Sequence, residues 1–141
     1  MFNKSKEQRL RAWVDFRKQL ETSKDPLQDT IDLYHMAPLV NIQVDPYNKD
    51  LWPNPWELLY DNKYCDFAKI LGIADTLKLT DRFSNVPMMI HIYTDRENSE
   101  VKYLLFLEEK IIGYEPKKAV DKHTIPSNIK FDMSFQYTTS R

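Results

Sequence analysis

Apolar residues recur at helical spacing through the first half of the chain and in strict alternation through the second, with the change falling after Gly72. Ser5 to about Leu20 reads as an amphipathic helix. Ser5 and Gln8 fit a capping box, and Leu10, Trp13, Val14, Arg17 and Leu20 follow the helical period. The opposite face is charged, so this narrow stripe either docks on the rest of the domain or packs on another chain. Asp25-Pro26 starts a second, shorter helix through Leu27, Ile31 and Tyr34, which ends before Pro38 and carries His35 in its last turn. Leu39 to Val44 reads as a short edge strand or an extended connector, and 45–50 as a loop.

Asn54-Pro55 is the next helix start, because asparagine caps orphan N–H groups and proline needs none at the first helical position. Trp56 and Leu59 share one face of it. A further helix follows from about Tyr64, with Tyr64, Phe67, Ala68 and Leu71 as its stripe and Cys65 in its first turn. Thr76 to Thr80 is either the tail of that helix or a first strand.

From Met88 the pattern is β. Met88, Ile90 and Ile92 alternate with Met89, His91 and Tyr93, and a polar turn over 95–100 leads into Val101 to Leu107, which predicts a hairpin. A turn at 108–110 precedes a third strand, Ile111 to Tyr114, ended by Pro116, and Lys117 to Ser127 reads as a loop. From Asn128 onward Ile129, Phe131, Met133, Phe135 and Tyr137 alternate with polar residues, predicting a terminal strand with one wet face. The expected class is α+β, N-terminal helices packed on a small antiparallel meander of 3–5 strands. Residues 1–24 form a helical arm and 25–141 a single α+β domain.

Composition narrows the function classes. The 141 residues suit one ordinary domain, and with 42% hydrophobic and 13% aromatic residues the chain is not disordered. Charges nearly balance, 20 basic against 21 acidic, which gives no bias toward nucleic acid or an anionic membrane. Only 2 glycines, Gly72 and Gly113, are present, so Gly-rich phosphate loops and dinucleotide fingerprints are excluded, and no cofactor is expected. A single cysteine forms no internal disulfide, and no Cys/His grouping has zinc spacing, so no metal is expected. The opening residues lack the apolar core of a signal peptide, and no apolar run is long enough to span a bilayer, which predicts a protein made and kept in the cytoplasm.

Cys65 is the one hint of reaction chemistry, since a helix N-terminus stabilises a thiolate. A cysteine-bearing helix followed by an antiparallel meander resembles the layout of the transglutaminase-like cysteine fold, over roughly Pro55 to Pro116. The resemblance implies a cysteine hydrolase or acyl transferase with Cys65 as nucleophile, and Glu115-Pro116 resembles the family's Asp-Pro. The family's histidine belongs at the start of the middle strand, where this chain has Val101-Lys102-Tyr103, while His91 lies one strand earlier and Lys63 replaces the usual small residue. A nucleophile without a base behaves as a buried thiol, so the layout reads as a catalytically degenerate relative or an independent α+β domain. Glu108-Glu109, Asp95 and Glu97 read as solvated turn charges, and His123 as exposed.

The segment Trp52-Pro53-Asn54-Pro55-Trp56-Glu57-Leu58 and the helix after it resemble small structural proteins of tailed bacteriophages. That resemblance implies a non-enzymatic virion component of the tail, neck or connector, contacting other virion proteins and copies of itself. The interface candidates are Trp13, Trp52, Trp56, Phe131, Phe135 and Tyr137, because tryptophans anchor either cores or partners and an exposed edge strand accepts other chains.

Overall fold

The computed structural model describes residues 1–41, 44–127 and 129–138. Helices α1 (Lys6–Leu20), α2 (Pro26–His35), α3 (Pro55–Asp61) and α4 (Asp66–Lys78) precede strands β1 (Met88–Asp95), β2 (Glu100–Leu107), β3 (Lys110–Ile112), β4 (Val120–Asp121) and β5 (Met133–Gln136). The strands form one antiparallel sheet in the order β4-β3-β2-β1-β5, so the α+β class expected from the pattern is what the chain adopts. Ile42, Gln43 and Asn128, which fall within expected strands, lie outside the described residues.

Local chemistry sets the helix starts. Ser5 accepts from the Gln8 amide at 3.4 Å, and Asp25 from the Gln28 amide at 3.3 Å ahead of Pro26. Asn54 and Glu57 complete a capping box through bonds of 2.8 and 3.0 Å. Asn62 then ends α3 in the left-handed conformation, with φ of 52°. Helix α4 is the axis of the domain, buried on nearly every side from Phe67 to Leu77, as a helix apolar all round must be. α1, α2 and α3 pack against it, and the sheet lies against its remaining side. Gly72 leaves room for the Tyr34 ring of α2, from which a Cβ there would stand only 2.4 Å.

Several boundaries depart from the pattern. The Cys65 helix begins at Asp66, with Cys65 as its cap and not in its first turn, because Tyr64 is held extended beside the 38–40 stretch. Its amide donates to Pro38 O at 3.2 Å, and its carbonyl accepts from the Val40 amide at 3.0 Å. Leu39 to Val40 is therefore a connector with a single bridge. Thr76 belongs to the helix and not to a strand. The third strand is Lys110–Ile112, and β4 forms where a loop is expected, Val120 pairing with Ile111.

The terminal segment is the largest correction. Ile129 to Tyr137 do not lie along one strand with one apolar face. The Asp132 amide donates to Ile92 O at 2.7 Å, the chain bends there, and only Met133–Gln136 pairs with β1. Ile129 and Phe131 cover the outer face of the sheet with Tyr93, Leu104, Ile111 and Val120, whereas Tyr137 enters the core on the helix side. On α1 Trp13 and Leu20 are buried as the stripe expects, but Arg9 is buried where Leu10 was expected, and Leu10 is left 42% exposed.

Candidate functional site

The alternation of β1 decides the enzyme geometry. Ile90 and Ile92 face inward, so His91 points to the outer face, where its Nδ1 lies 2.7 Å from Ser134 Oγ. Its ring stacks on Phe131 at 4.3 Å and meets Phe106 edge-on at 4.5 Å, and partial burial lowers its pKa below the ordinary imidazole value. Cys65 packs against the helix-side core, with its Sγ accepting from the Ala68 amide at 3.4 Å. The sheet separates the two, and the chain brings together no Cys65–His91 pair.

Glu115 lines a cleft of about 440 Å³ bounded by α2, α4, β2 and β3, together with Tyr34, Lys69, Ile70, Tyr103 and Ile112. Gly113 shapes its wall: φ is +106°, and a Cβ there would meet the Tyr103 carbonyl at 2.2 Å. Lys69 and Lys102 share the lining with Asp66, Glu100 and Glu115, so no single charge sign defines the cleft. Among the described residues no group of three or more His, Cys, Asp or Glu stands together to hold a metal ion.

The interface candidates divide between core and surface. Trp13 is fully buried, and its Nε1 donates to Thr76 Oγ1 at 3.0 Å. That docks α1 on its own domain and puts Trp13 beyond a partner's reach. Trp52 is half-buried, with Phe67 at 5.1 Å and Phe135 at 5.0 Å edge-on and Tyr137 stacked at 6.4 Å, so it fastens the terminal strand to α4. Phe131 covers the outer face of the sheet, and Tyr137 is buried.

Trp56 remains at the surface, 41% exposed, propped edge-on against Trp13 at 6.4 Å. One turn further along α3 stands Tyr60, 59% exposed, with Lys6 Nζ 3.7 Å above its ring, and Leu10 is bare on the neighbouring α1. Val40 lies with Tyr60, Lys6 and Asn62 around a shallow depression beside them. Leu10, Trp56 and Tyr60 thus give the α1–α3 side apolar exposure. Sequence reasoning named Trp56 but missed Tyr60 and placed Leu10 inward; the i, i+4 spacing of Trp56 and Tyr60, opposite the buried Leu58, was the available signal.

Arg9 explains why Leu10 is outside. The guanidinium is buried and donates to Leu59 O at 2.8 Å and Tyr60 O at 3.2 Å, satisfying two carbonyls at the end of α3, and to Lys4 O at 2.5 Å ahead of α1. A second polar group, missed by sequence reasoning, lies inside α4. Asp75 is fully buried, accepts from the Tyr137 hydroxyl, and is pushed up to about 8 by loss of solvation, an effect the Tyr137 bond partly offsets. Next to it, the Thr76 hydroxyl donates to Gly72 O at 2.7 Å, so it accepts from both Trp13 and, at 3.0 Å, Tyr34.

No helix among the described residues is long and apolar enough to cross a membrane. The chain matches no protein-family model, and no curated protein matches it.

Proposed function

We propose that the chain is a non-enzymatic assembly protein that binds its neighbours through the α1–α3 face. The observation that carries this reading is Trp56, held at the surface by Trp13 beneath it, with Tyr60 and Leu10 beside it. A rigid aromatic loses little conformational freedom on contact, and tryptophan and tyrosine dominate interface energies. The reading is supported further by the division of labour within Trp52 to Leu58. The first tryptophan ties the domain together while the second faces solvent, so one short segment couples the fold to its contact face.

The resemblance of this segment to small structural proteins of tailed phages makes the setting a virion tail, neck or connector. The partners are other virion proteins and further copies of the chain. Repetition around a symmetric ring multiplies modest contacts into a stable assembly.

The double variant Trp56→Ser/Tyr60→Ser tests it. The variant is expected to keep its helical circular dichroism and cooperative unfolding but to be lost from particles purified after complementation. Normal incorporation of the folded variant would contradict this role for the face.

A further inference from the structure

Asp75 lies deep in α4, and the residue whose hydroxyl reaches it, Tyr137, directly follows the last strand. β5 is an edge strand of 4 residues with β1 as its neighbour on one side. Two bonds mark its ends, Asp132 N to Ile92 O at 2.7 Å and Tyr137 N to Met88 O at 2.9 Å. Inside them, Phe135 and Tyr137 close over Trp52.

The rest of the surroundings of Asp75 is anchored more firmly and offers it little. From α2 comes Tyr34, committed to Thr76, and from the residue before α4 comes Tyr64. From α1, Arg9 is committed to the carbonyls of α3 and Lys4, and Arg17 to Leu79 O at 3.3 Å. β1 and β2 contribute Met88, Ile90, Leu105 and Leu107 to this core, and α3 contributes Leu58, all apolar. Asp75 Oδ2 has no hydrogen-bond partner among the described residues. An ionised Asp75 would therefore hold its charge, out of water, on a single tyrosine hydroxyl, and a charge so placed is costly.

We propose that Asp75 and Tyr137 form a latch on the terminal strand, closed while the carboxyl keeps its proton and opened when the proton is lost. Relief of the buried charge requires water at Oδ2. The element that can move to admit it is β5, a strand of 4 residues paired with β1 on one side and tied on the other by the exposed Lys49 ammonium, which donates to Gln136 O at 3.0 Å, while β1 and β2 are paired on both. Opening lifts Tyr137 and Phe135 from Trp52 and bares the outer edge of β1. In the closed state the tyrosine stays protonated, since burial and the neighbouring carboxylate both raise its pKa. The carboxyl at about 8 sets the opening on the alkaline side of neutrality.

Hydrogen exchange of the full chain between about pH 6 and 9.5, corrected for intrinsic rates, tests the latch, with the Asp75 carboxyl carbon shift followed over the same range. Protection of the Tyr137 amide is expected to fall at least tenfold relative to the β1–β2 amides, in step with that shift. Asp75→Asn, which keeps an acceptor for Tyr137, is expected to abolish the pH dependence. The latch is overturned if Tyr137 stays protected while Asp75 ionises, or if its protection relative to the β1 and β2 amides does not change across the range. Ionisation of Asp75 in the usual carboxylate range with the strand still closed would overturn it equally. Should Asp75→Asn fail to fold, the two wild-type curves decide alone.

Discussion

At the scale of single residues, stability rests on polar groups placed where sequence rules expect apolar ones. Asp75 gives a pH dependence of definite sign. Its folded pKa is raised, so between about 4 and 8 the folded state holds a proton that the unfolded state releases. Its contribution to stability is greatest below that window, falls by up to about 1.4 kcal/mol per pH unit through it, and levels off above. Urea unfolding at a series of pH values is expected to show this decline in the wild type and its absence in Asp75→Asn.

Cys65 yields a second expectation. As the cap of α4 it is expected to tolerate serine, a better cap, with stability unchanged or raised, while Cys65→Ala costs about 0.5–1 kcal/mol. Destabilisation by serine greater than by alanine, in the same unfolding assay, would show that the thiol is needed for packing.

The caps at Asp25 and Asn54 were legible because their partners lie 3 residues away. Arg9 and Asp75 were not, because their partners lie 50 and 62 residues along the chain, and a charged residue within a helix reads as solvent-facing until those partners are known.

At the scale of elements, packing overrides pattern where two elements approach closely. Gly72 lowers the intrinsic helicity of α4 by about 1 kcal/mol relative to alanine, yet the Tyr34 ring occupies the space a methyl group would need. Gly72→Ala is therefore expected to destabilise by about 1–3 kcal/mol despite the gain in propensity, as read by thermal or urea unfolding. A stabilised variant would mean that Tyr34 yields without cost.

The hairpin of β1 and β2 was legible because alternation and a polar turn specify it locally, and its register runs from Met88–Leu107 to Asp95–Glu100. Of the terminal segment only the strand Met133–Gln136 was, although its alternation is the most regular in the chain. Alternation assigns faces only while a strand remains straight, and the bend at Asp132 carries Phe131 to one side of the sheet and Tyr137 to the other. In the first helix Trp13 and Leu20 face inward as their spacing expects, and only Leu10 departs, left at the surface where Arg9 is buried beside it.

At the scale of the whole molecule, the two functional readings open to the sequence lead to different surfaces. The cysteine reading needs Cys65 and His91 together, and the sheet stands between them. The assembly reading needs apolar groups held outward, and Leu10, Trp56 and Tyr60 provide them on the α1–α3 side. Because these side chains contribute little to the core, Trp56→Ser/Tyr60→Ser is expected to lower stability by about 1 kcal/mol or less. The most direct measurement of the face places the photoreactive residue benzoylphenylalanine at Trp56 in the full chain, irradiates the assembled particle, and identifies the crosslinked proteins by mass spectrometry. Crosslinks from position 56 to particle proteins or to a second copy of the chain, absent when the same residue replaces Tyr114, which packs on the outer face of the sheet, are expected. Equal or absent crosslinking at the two positions would contradict docking through the α1–α3 face.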